Sequence, residues 1–508
     1  MPRRPRATDS QAHDGQVLII LAVSMVVLLG FLAAAVDVGL LLAQRRGAQN
    51  AVDAAALAVA DAVYSGVTST TTLDAMAAYY VQQNGIGETP TVTLSLSGSP
   101  QQVSVDVTHA VSKAFLGAID PGAWQVHAHA VAALEPVPKD YALLALDTSG
   151  GYPVNLTGNV NINVVGGGAM SNSGMQCTGN DSLTADLTVD AHTGFRKTGN
   201  CGFSGTQGST PNAPVVPDPL AGVPPPPAPS VPTTQTVAAC TQSGPPGSKS
   251  WTCPPGQHTQ SLSVVGNGNS ITFQAGNHEL VNSSVSTTGN SNPIFFNPGT
   301  YYLQNSSITL TGNNTTMQFA PGTYNFYVSG GSVTFTGNNS GYVGNGTQVN
   351  FYFKNSNVTF TGNTTTYFPP GIYYFDGSNL SMTGNSTIVG QNVFFYFVNG
   401  AGWSSTGNTS YAFTASSTAL YPGMQPHLLI YSDRGNTGSF SMTGNAGTLL
   451  DGIIYLPDTR LTMTGNASGT WARGQLIVKD LTATGNANVQ VDYQDYVQVN
   501  VPAVYLIQ

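Results

Sequence analysis

Three patterns of apolar and polar residues succeed one another along the chain. The first is unbroken: Val17 to Val36 carries no charge, with Ser24 its polar exception, and is long enough to cross a bilayer as a helix. Asp37 interrupts the run, Val38 to Ala43 resumes it, and the Ala-rich stretch Gln49 to Val63 prolongs the helix, because Ala has the highest helix propensity. The second pattern is mixed. Leu73 to Gln83 reads as a short amphipathic helix closed by Asn84-Gly85. Thr91 to Leu96, Gln102 to Thr108 and Trp124 to Val131 alternate as half-buried strands do. Together they predict a small α+β module. The third pattern is periodic and fills most of the remaining chain.

Its marker is Thr-Gly-Asn, which starts at Thr157, Thr178, Thr198, Thr288, Thr311, Thr336, Thr361, Thr383, Thr406, Thr443, Thr464 and Thr484. Within each block the step is 20 to 25 residues, apart from one of 37. Such a period marks a solenoid, in which each coil buries its apolar face against its neighbours. Three residues before the Thr stand Val285, Ile308, Val333, Val358 and Leu380, and one before it Leu310, Phe335, Phe360 and Met382. Positions two apart share a strand face, so these point inward. A second inward pair lies ten and eight before, as in Phe326/Val328 and Phe351/Phe353. A third strand is less regular, with Met317/Phe319 and Tyr367 as examples, and often ends in a Pro-Gly corner. Three strands and three turns per coil describe a parallel β-helix, with right-handed winding expected as for parallel crossovers. Gly-Asn suits the corner: Gly accepts positive φ and Asn tolerates it. Stacking brings Asn313, Asn338, Asn363 and Asn385 into an amide ladder.

The fold class that follows is mainly β: an N-terminal transmembrane helix, a small α+β module, then a parallel β-helix with coils of 20–25 residues. The expected boundaries are a cytoplasmic segment 1–16, the helix with its extension 17–64, the module 65–137, first coils 138–210, a Pro-rich crossover or linker 211–260, and the main β-helix 261–508. Pro211 to Pro232 is too Pro-dense to join a sheet and reads as an extended polyproline-type segment.

Composition supports an exported solenoid. Charged residues are 8% of the chain, about a third of the usual share, and Gly, Asn, Ser and Thr supply the polarity. Beyond the N-terminus there is no basic stripe, which argues against nucleic-acid binding. The four cysteines, Cys177, Cys201, Cys240 and Cys253, all follow the apolar run. Their even number permits two disulfides outside the cytoplasm. Cys177–Cys201 and Cys240–Cys253 are the favoured pairs, and the absence of a C-x2-C element argues against zinc. Arg3, Arg4 and Arg6 precede the apolar run and Arg45 and Arg46 follow it. This slight N-terminal excess, with the disulfides, favours a cytoplasmic N-terminus. Ala33-Ala34-Ala35 imitates a cleavage site, but the run exceeds a signal-peptide core in length, so a retained anchor is expected. Asp37 at its edge either pairs with a partner helix in an assembly or sits at headgroup level near Arg45 and Arg46.

The stretch Gly15 to Ala60 resembles the N-terminal segment of the TadE/TadG-like proteins of Flp (Tad) pilus assembly. The resemblance rests on the Gly15-Gln16 start, the apolar helix ending in Ala35-Val36-Asp37-Val38-Gly39, the Arg45-Arg46 pair and the stretch Gln49 to Ala58. Flp-type prepilins place Glu five residues after the Gly of their processing site, where this chain has Ile20, so the TadG-like branch fits better than a pilin. The full layout, with Pro217 to Gly222 and the Thr-Gly-Asn coils, is similar to the long TadG-like proteins. The resemblance implies a membrane partner, other Tad pilus-assembly proteins as partners, and a structural or adhesive role at the cell surface.

Candidate chemistry on the solenoid is sparse. Nine before the Thr stand Tyr302, Tyr327, Tyr352, Tyr374, Phe397 and Tyr455, which alternation turns outward. Such a ladder either stacks against the sugar rings of a surface glycan or stacks ring on ring along the coils. Lys354 aligns with Asp376 and Arg460 with Asp480, predicting exposed ion pairs between coils. Tyr421 to Ser439, in the long step, is expected to protrude as a loop. His127 and His129 share a strand face without a third ligand. Asp433, Asp451 and Arg473 fall on the late coils at unmatched offsets. No phosphate loop, catalytic triad or metal motif is present. The expectation is a non-enzyme without cofactor, a glycan-binding β-helix being the alternative and a polysaccharide-active enzyme a more distant one.

Overall fold

The computed structural model describes residues 14–64, 67–96, 100–245, 248–338, 342–343, 347–444, 448–465 and 468–507. Most of the expected cytoplasmic segment, including Arg3, Arg4 and Arg6, lies outside them. The chain divides into two compact units, Met1–Val137 with Pro502–Gln508, and Pro138–Val501.

In the smaller unit the apolar run and the Ala-rich stretch form one helix, α1 (Asp14–Tyr64, 51 residues). Its apolar half stands exposed from Val17 to Leu32, whereas Ala48, Ala51, Val52, Ala55, Ala56, Val59 and Ala60 are buried. The second set follows the three-and-four spacing of one helix face. Alanines suit that face because they let a helix lie close to its neighbours. Helix α2 (Thr70–Gln83) starts at the Ser69 cap and adds Leu73, Ala77 and Val81 to the same core. Strands β1 (Thr91–Ser95), β2 (Gln101–Val111) and β3 (Trp124–Lys139) form an antiparallel sheet with Val105 opposite Ala130. A fourth strand, Val499–Ile507, extends this sheet beside β3. Residues 502–508, which the periodic pattern keeps with the solenoid, therefore go to the small unit. Thr-Gly-Asn stops at Thr484, so the repeat gives no signal about a strand that follows it.

The larger unit is a parallel β-solenoid of about 14 turns. Successive Thr-Gly-Asn strands pair in register, Thr311 with Thr336 and Thr361 with Thr383. The inward positions are buried as expected, Val358 and Phe360 among them. Phe326, Phe351, Tyr373 and Phe395 stack through the core with ring centroids 4.7, 5.7 and 5.3 Å apart. The corner asparagines form the amide ladder: Asn338 donates to Asn313, Asn385 to Asn363, and Asn408 to Asn385, at 3.0–3.1 Å. One irregular third strand differs from expectation. In Thr365–Phe368 it is Thr366 and Phe368 that point inward, and Tyr367 is exposed.

The order of coils in space is not their order in sequence. Strand Ser468–Gly485, near the end of the chain, pairs with Thr448–Gly465 on one side and with Tyr141–Ala145 and Val154–Gly158 on the other. Asn488–Tyr493 likewise pairs with Asn161–Val165. The chain thus enters the stack partway along. It builds coils through Gly174–Gly179 to Gly194–Gly199, crosses to the far end, and builds back until the last coil meets the first. The crossover is the Pro-rich segment. Residues 212–236, extended at ~3.1 Å per residue, reach roughly 75 Å. About 14 turns at ~4.8 Å rise roughly 65 Å, so the segment is long enough to run the length of the stack.

Candidate functional site

The Pro-rich segment lies as a strap along one face of the solenoid, and the outward tyrosines lie under it. From its start, Val216 exchanges two hydrogen bonds with the Asn172 side chain at 2.8 and 2.7 Å. The Asp218 carboxylate accepts from the Tyr455 hydroxyl and meets Arg434 at 3.4 Å. Arg434 also donates to the Leu220 carbonyl at 2.7 Å. The Tyr431 hydroxyl donates to the Val223 carbonyl and the Tyr421 hydroxyl to that of Pro224, at 3.3 and 2.9 Å. Beyond lie Pro226, Pro227 and Pro229. At the far end Gln235 N–H donates to Glu279 at 2.8 Å, and Val237 pairs with Gln257 as a one-residue bridge. From Asn172 through Tyr455, Tyr431 and Tyr421 to Glu279 and Gln257, the contacts progress along the stack. A polyproline-type chain satisfies few of its own backbone groups, and here tyrosine hydroxyls and an arginine supply donors to its carbonyls.

The ladder is accordingly less open than alternation alone implies. Tyr374 is 8% exposed and Tyr455 fully buried, while Tyr302, Tyr327 and Tyr352 are half-buried. Where the strap stands off, a cavity of about 280 Å³ is lined by Tyr327, Tyr352 and Tyr374, by Asn325 and Asn350, and by the strap prolines with Tyr421. Tyr327–Tyr352 and Tyr352–Tyr374 centroids are 6.2 and 5.0 Å apart with the rings nearly perpendicular. The rings therefore meet edge to face, the favourable arrangement for aromatic pairs. Burial pushes the Tyr374 hydroxyl up to about 12, with the Asp376 and Asp433 carboxylates adding to it. The Tyr352 hydroxyl is raised by burial and by its 2.9 Å bond to Asp376. Both phenols stay protonated at neutral pH, and that of Tyr352 donates to Asp376. Asp376 also accepts from Asn399 at 2.7 Å. It aligns with Lys354 in register, but its partners are Tyr352 and Asn399.

The long step is folded down rather than protruding. Leu428–Ser432 joins the sheet, and Tyr421 and Met424 are buried against the strap. Arg460 bonds Asp480 as aligned, and Arg473 bonds Asp451. Cys177 is joined to Cys201 across the last two coils of the first block, and Cys240 to Cys253 in the coil where the strap re-enters. Cys240, Cys253 and His258 cluster closely enough to hold a metal, but bonded sulfurs offer no thiolate. Beside them His258 and His278 are buried and stacked, with Nε2 and Nδ1 at 3.1 Å. Burial lowers the His258 imidazole and holds that of His278 at about 4. His278 stands ten before Thr288, in the second inward column beside Tyr301, but His258 precedes the first Thr-Gly-Asn of its block, so spacing alone gave no hint of the pair.

In the small unit, Asp37 is 1% exposed. Its carboxylate accepts backbone N–H bonds from Ala114 at 2.8 Å, Phe115 at 3.2 Å and Leu116 at 2.6 Å. It thereby caps the short 3-10 turn Leu116–Ala118, a partner within the chain that neither sequence reading anticipated. His127 and His129 both face Asp106, at 3.6 and 2.8 Å.

Residues 15–62 match the family model described as "Putative Flp pilus-assembly TadE/G-like", so the chain carries a TadE/G-like segment on α1. No curated protein and no solved structure matches the chain.

Proposed function

We propose that this protein is a membrane-anchored, extracytoplasmic structural component related to Tad/Flp pilus assembly, and not an enzyme. The observation that carries the reading is the junction of a TadE/G-like helix, exposed and apolar from Val17 to Leu32, with a β-solenoid stapled by two disulfides. The helix is long and apolar enough to cross a membrane. The disulfides favour an oxidising side for the solenoid, leaving the N-terminus in the cytoplasm. A stack on which Asp451 and Asp480 pair with Arg473 and Arg460 of neighbouring coils suits a scaffold or adhesive surface better than a reaction centre. Fractionation with protease shaving of intact cells tests it. The solenoid is expected to be membrane-bound and cleavable from outside; a solenoid released without its N-terminus would sink the anchored reading.

The cavity beneath the strap favours a second reading, glycan binding. Half-buried tyrosine faces beside the Asn325 and Asn350 amides are the chemistry that sugars stack on and hydrogen-bond to, and about 280 Å³ holds a sugar unit or two. Saturable glycan binding lost in a Tyr327→Ser, Tyr352→Ser variant supports this reading; no binding by the unaltered protein ends it.

A further inference from the structure

We propose that the segment Ala114–Ile119 is a second membrane contact, which seats Phe115 and Ile119 in the interfacial layer of the bilayer that α1 crosses. The inference rests on the reading of α1 as a spanning helix.

The charge-free run Val17 to Val36, long enough to span by itself, is interrupted at Asp37, and the carboxylate there fixes the backbone of Ala114, Phe115 and Leu116 through three N–H groups. A side chain bonded that closely sets the segment at the level where hydrocarbon gives way to headgroups. A carboxylate is costly near lipid unless its oxygens are satisfied, and the three donors satisfy them. The segment exposes two large apolar side chains, Phe115 at 57% and Ile119 at 84%. Val36 and Val38 on the helix are exposed beside Asp37 at 44% and 46%. The apolar surface of the span thus continues onto the segment.

The segment is also held in shape. Lys113 bonds both the carboxylate and the carbonyl of Asp120 and so closes the loop across its base. Its ammonium lies 5.3 Å from the Trp124 ring centroid. A pre-shaped loop loses little freedom on insertion. In water, an isoleucine as exposed as Ile119 on a clamped turn gains nothing. In the interface, burial of apolar area becomes favourable. The contact would hold the module against the bilayer surface and limit the tilt and rotation of α1. A protein cover for the same two side chains would leave Ile119→Cys unquenched in vesicles that hold no other protein.

The full chain, with its disulfides intact, is labelled with the fluorophore NBD at an introduced cysteine and placed in phosphatidylethanolamine/phosphatidylglycerol vesicles. Val27→Cys reports the span, Ile119→Cys the segment and Thr91→Cys an exposed strand. Doxyl groups near the top of the acyl chains are the quencher. The expected result is a blue shift and at least a twofold loss of emission at Val27→Cys and Ile119→Cys, with Thr91→Cys unchanged. Quenching at Val27→Cys without it at Ile119→Cys overturns this inference and leaves the anchor standing. Absence of quenching at both overturns the anchor, and the inference with it.

Discussion

At the scale of single residues, Thr-Gly-Asn is a stacking device, and its Gly is its least replaceable member. Gly312 has φ +129°, and a Cβ there would run into the Gly289 carbonyl oxygen of the coil below. Gly312→Ala therefore combines backbone strain with a backbone clash. We expect it to lower stability by roughly 2–4 kcal/mol, read as a lower urea midpoint for the larger unit, whereas Thr311→Ser at the neighbouring site changes it little. The His258–His278 pair gives a second prediction. The outer nitrogens bond the Ala238 and Gln274 carbonyls at 2.9 and 2.7 Å, so only one proton fits between the facing nitrogens. An unfolded chain protonates both rings as pH falls through about 6.5, while the fold holds His278 at about 4. The unfolded state then binds more protons, and stability falls with pH across that window. The urea midpoint should drop between pH 7 and pH 4.5, and drop less in His278→Phe, whose ring keeps the stack on Tyr301 and the edge contact with Phe273. An equal drop in both proteins would remove the pair as a cause.

Among the elements, the strap is the one whose sequence character and structural role are furthest apart. Pro density announced that residues 211–232 could not pair in a sheet, which holds beyond Pro211, itself paired opposite Ala191, but a linker and a bound strap have the same composition. What distinguishes them is what lies opposite, and Asp218 is 216 residues from Arg434 and 237 from Tyr455 in sequence. The outward position of the tyrosines was legible from alternation for the same reason that their covering was not: periodicity reports a residue's own strand and says nothing of a distant segment. Asp218→Ala removes the acceptor of the Tyr455 hydroxyl and the ionic partner of Arg434. Loss of hydrogen bonds to a charged group costs about 1–3 kcal/mol, here mostly local. Hydrogen exchange should accelerate in residues 216–224, and a protease should cut within the strap of the variant at least several-fold faster than in the unaltered protein, with the Thr-Gly-Asn strands unaffected. Equal cutting rates would mean that the prolines hold the strap unaided.

For the larger unit taken whole, the decisive fact is that its last coil supports its first. Repeat spacing made the solenoid legible, down to its inward columns, because each coil repeats the same local chemistry. It could not order the two blocks, since any Thr-Gly-Asn strand presents the same edge to any other. The join is built like the rest of the stack: Thr484 aligns with Thr157, Gly485 with Gly158, and Asn159 donates to Asn486 at 2.9 Å. The first block therefore has two coil faces, one of which is the outer end and the other the face that the C-terminal coils cover. Solenoid repeats are stabilised by their neighbours more than by themselves, and the first block contains few coils. Its Cys177–Cys201 bond tightens only the outer end. A fragment of residues 138–236 made alone should lack a cooperative thermal transition. Residues 237–501 made alone should keep most of their strand signal, having the longer stack, but expose the face formed by Ser468–Gly485. Mixed, the two fragments should associate one to one and recover the cooperative transition, and Gly158→Val, which places a side chain against the Gly485 backbone, should abolish that association. A first fragment that folds cooperatively alone and ignores the second would refute the closing of the stack by its own C-terminal coils.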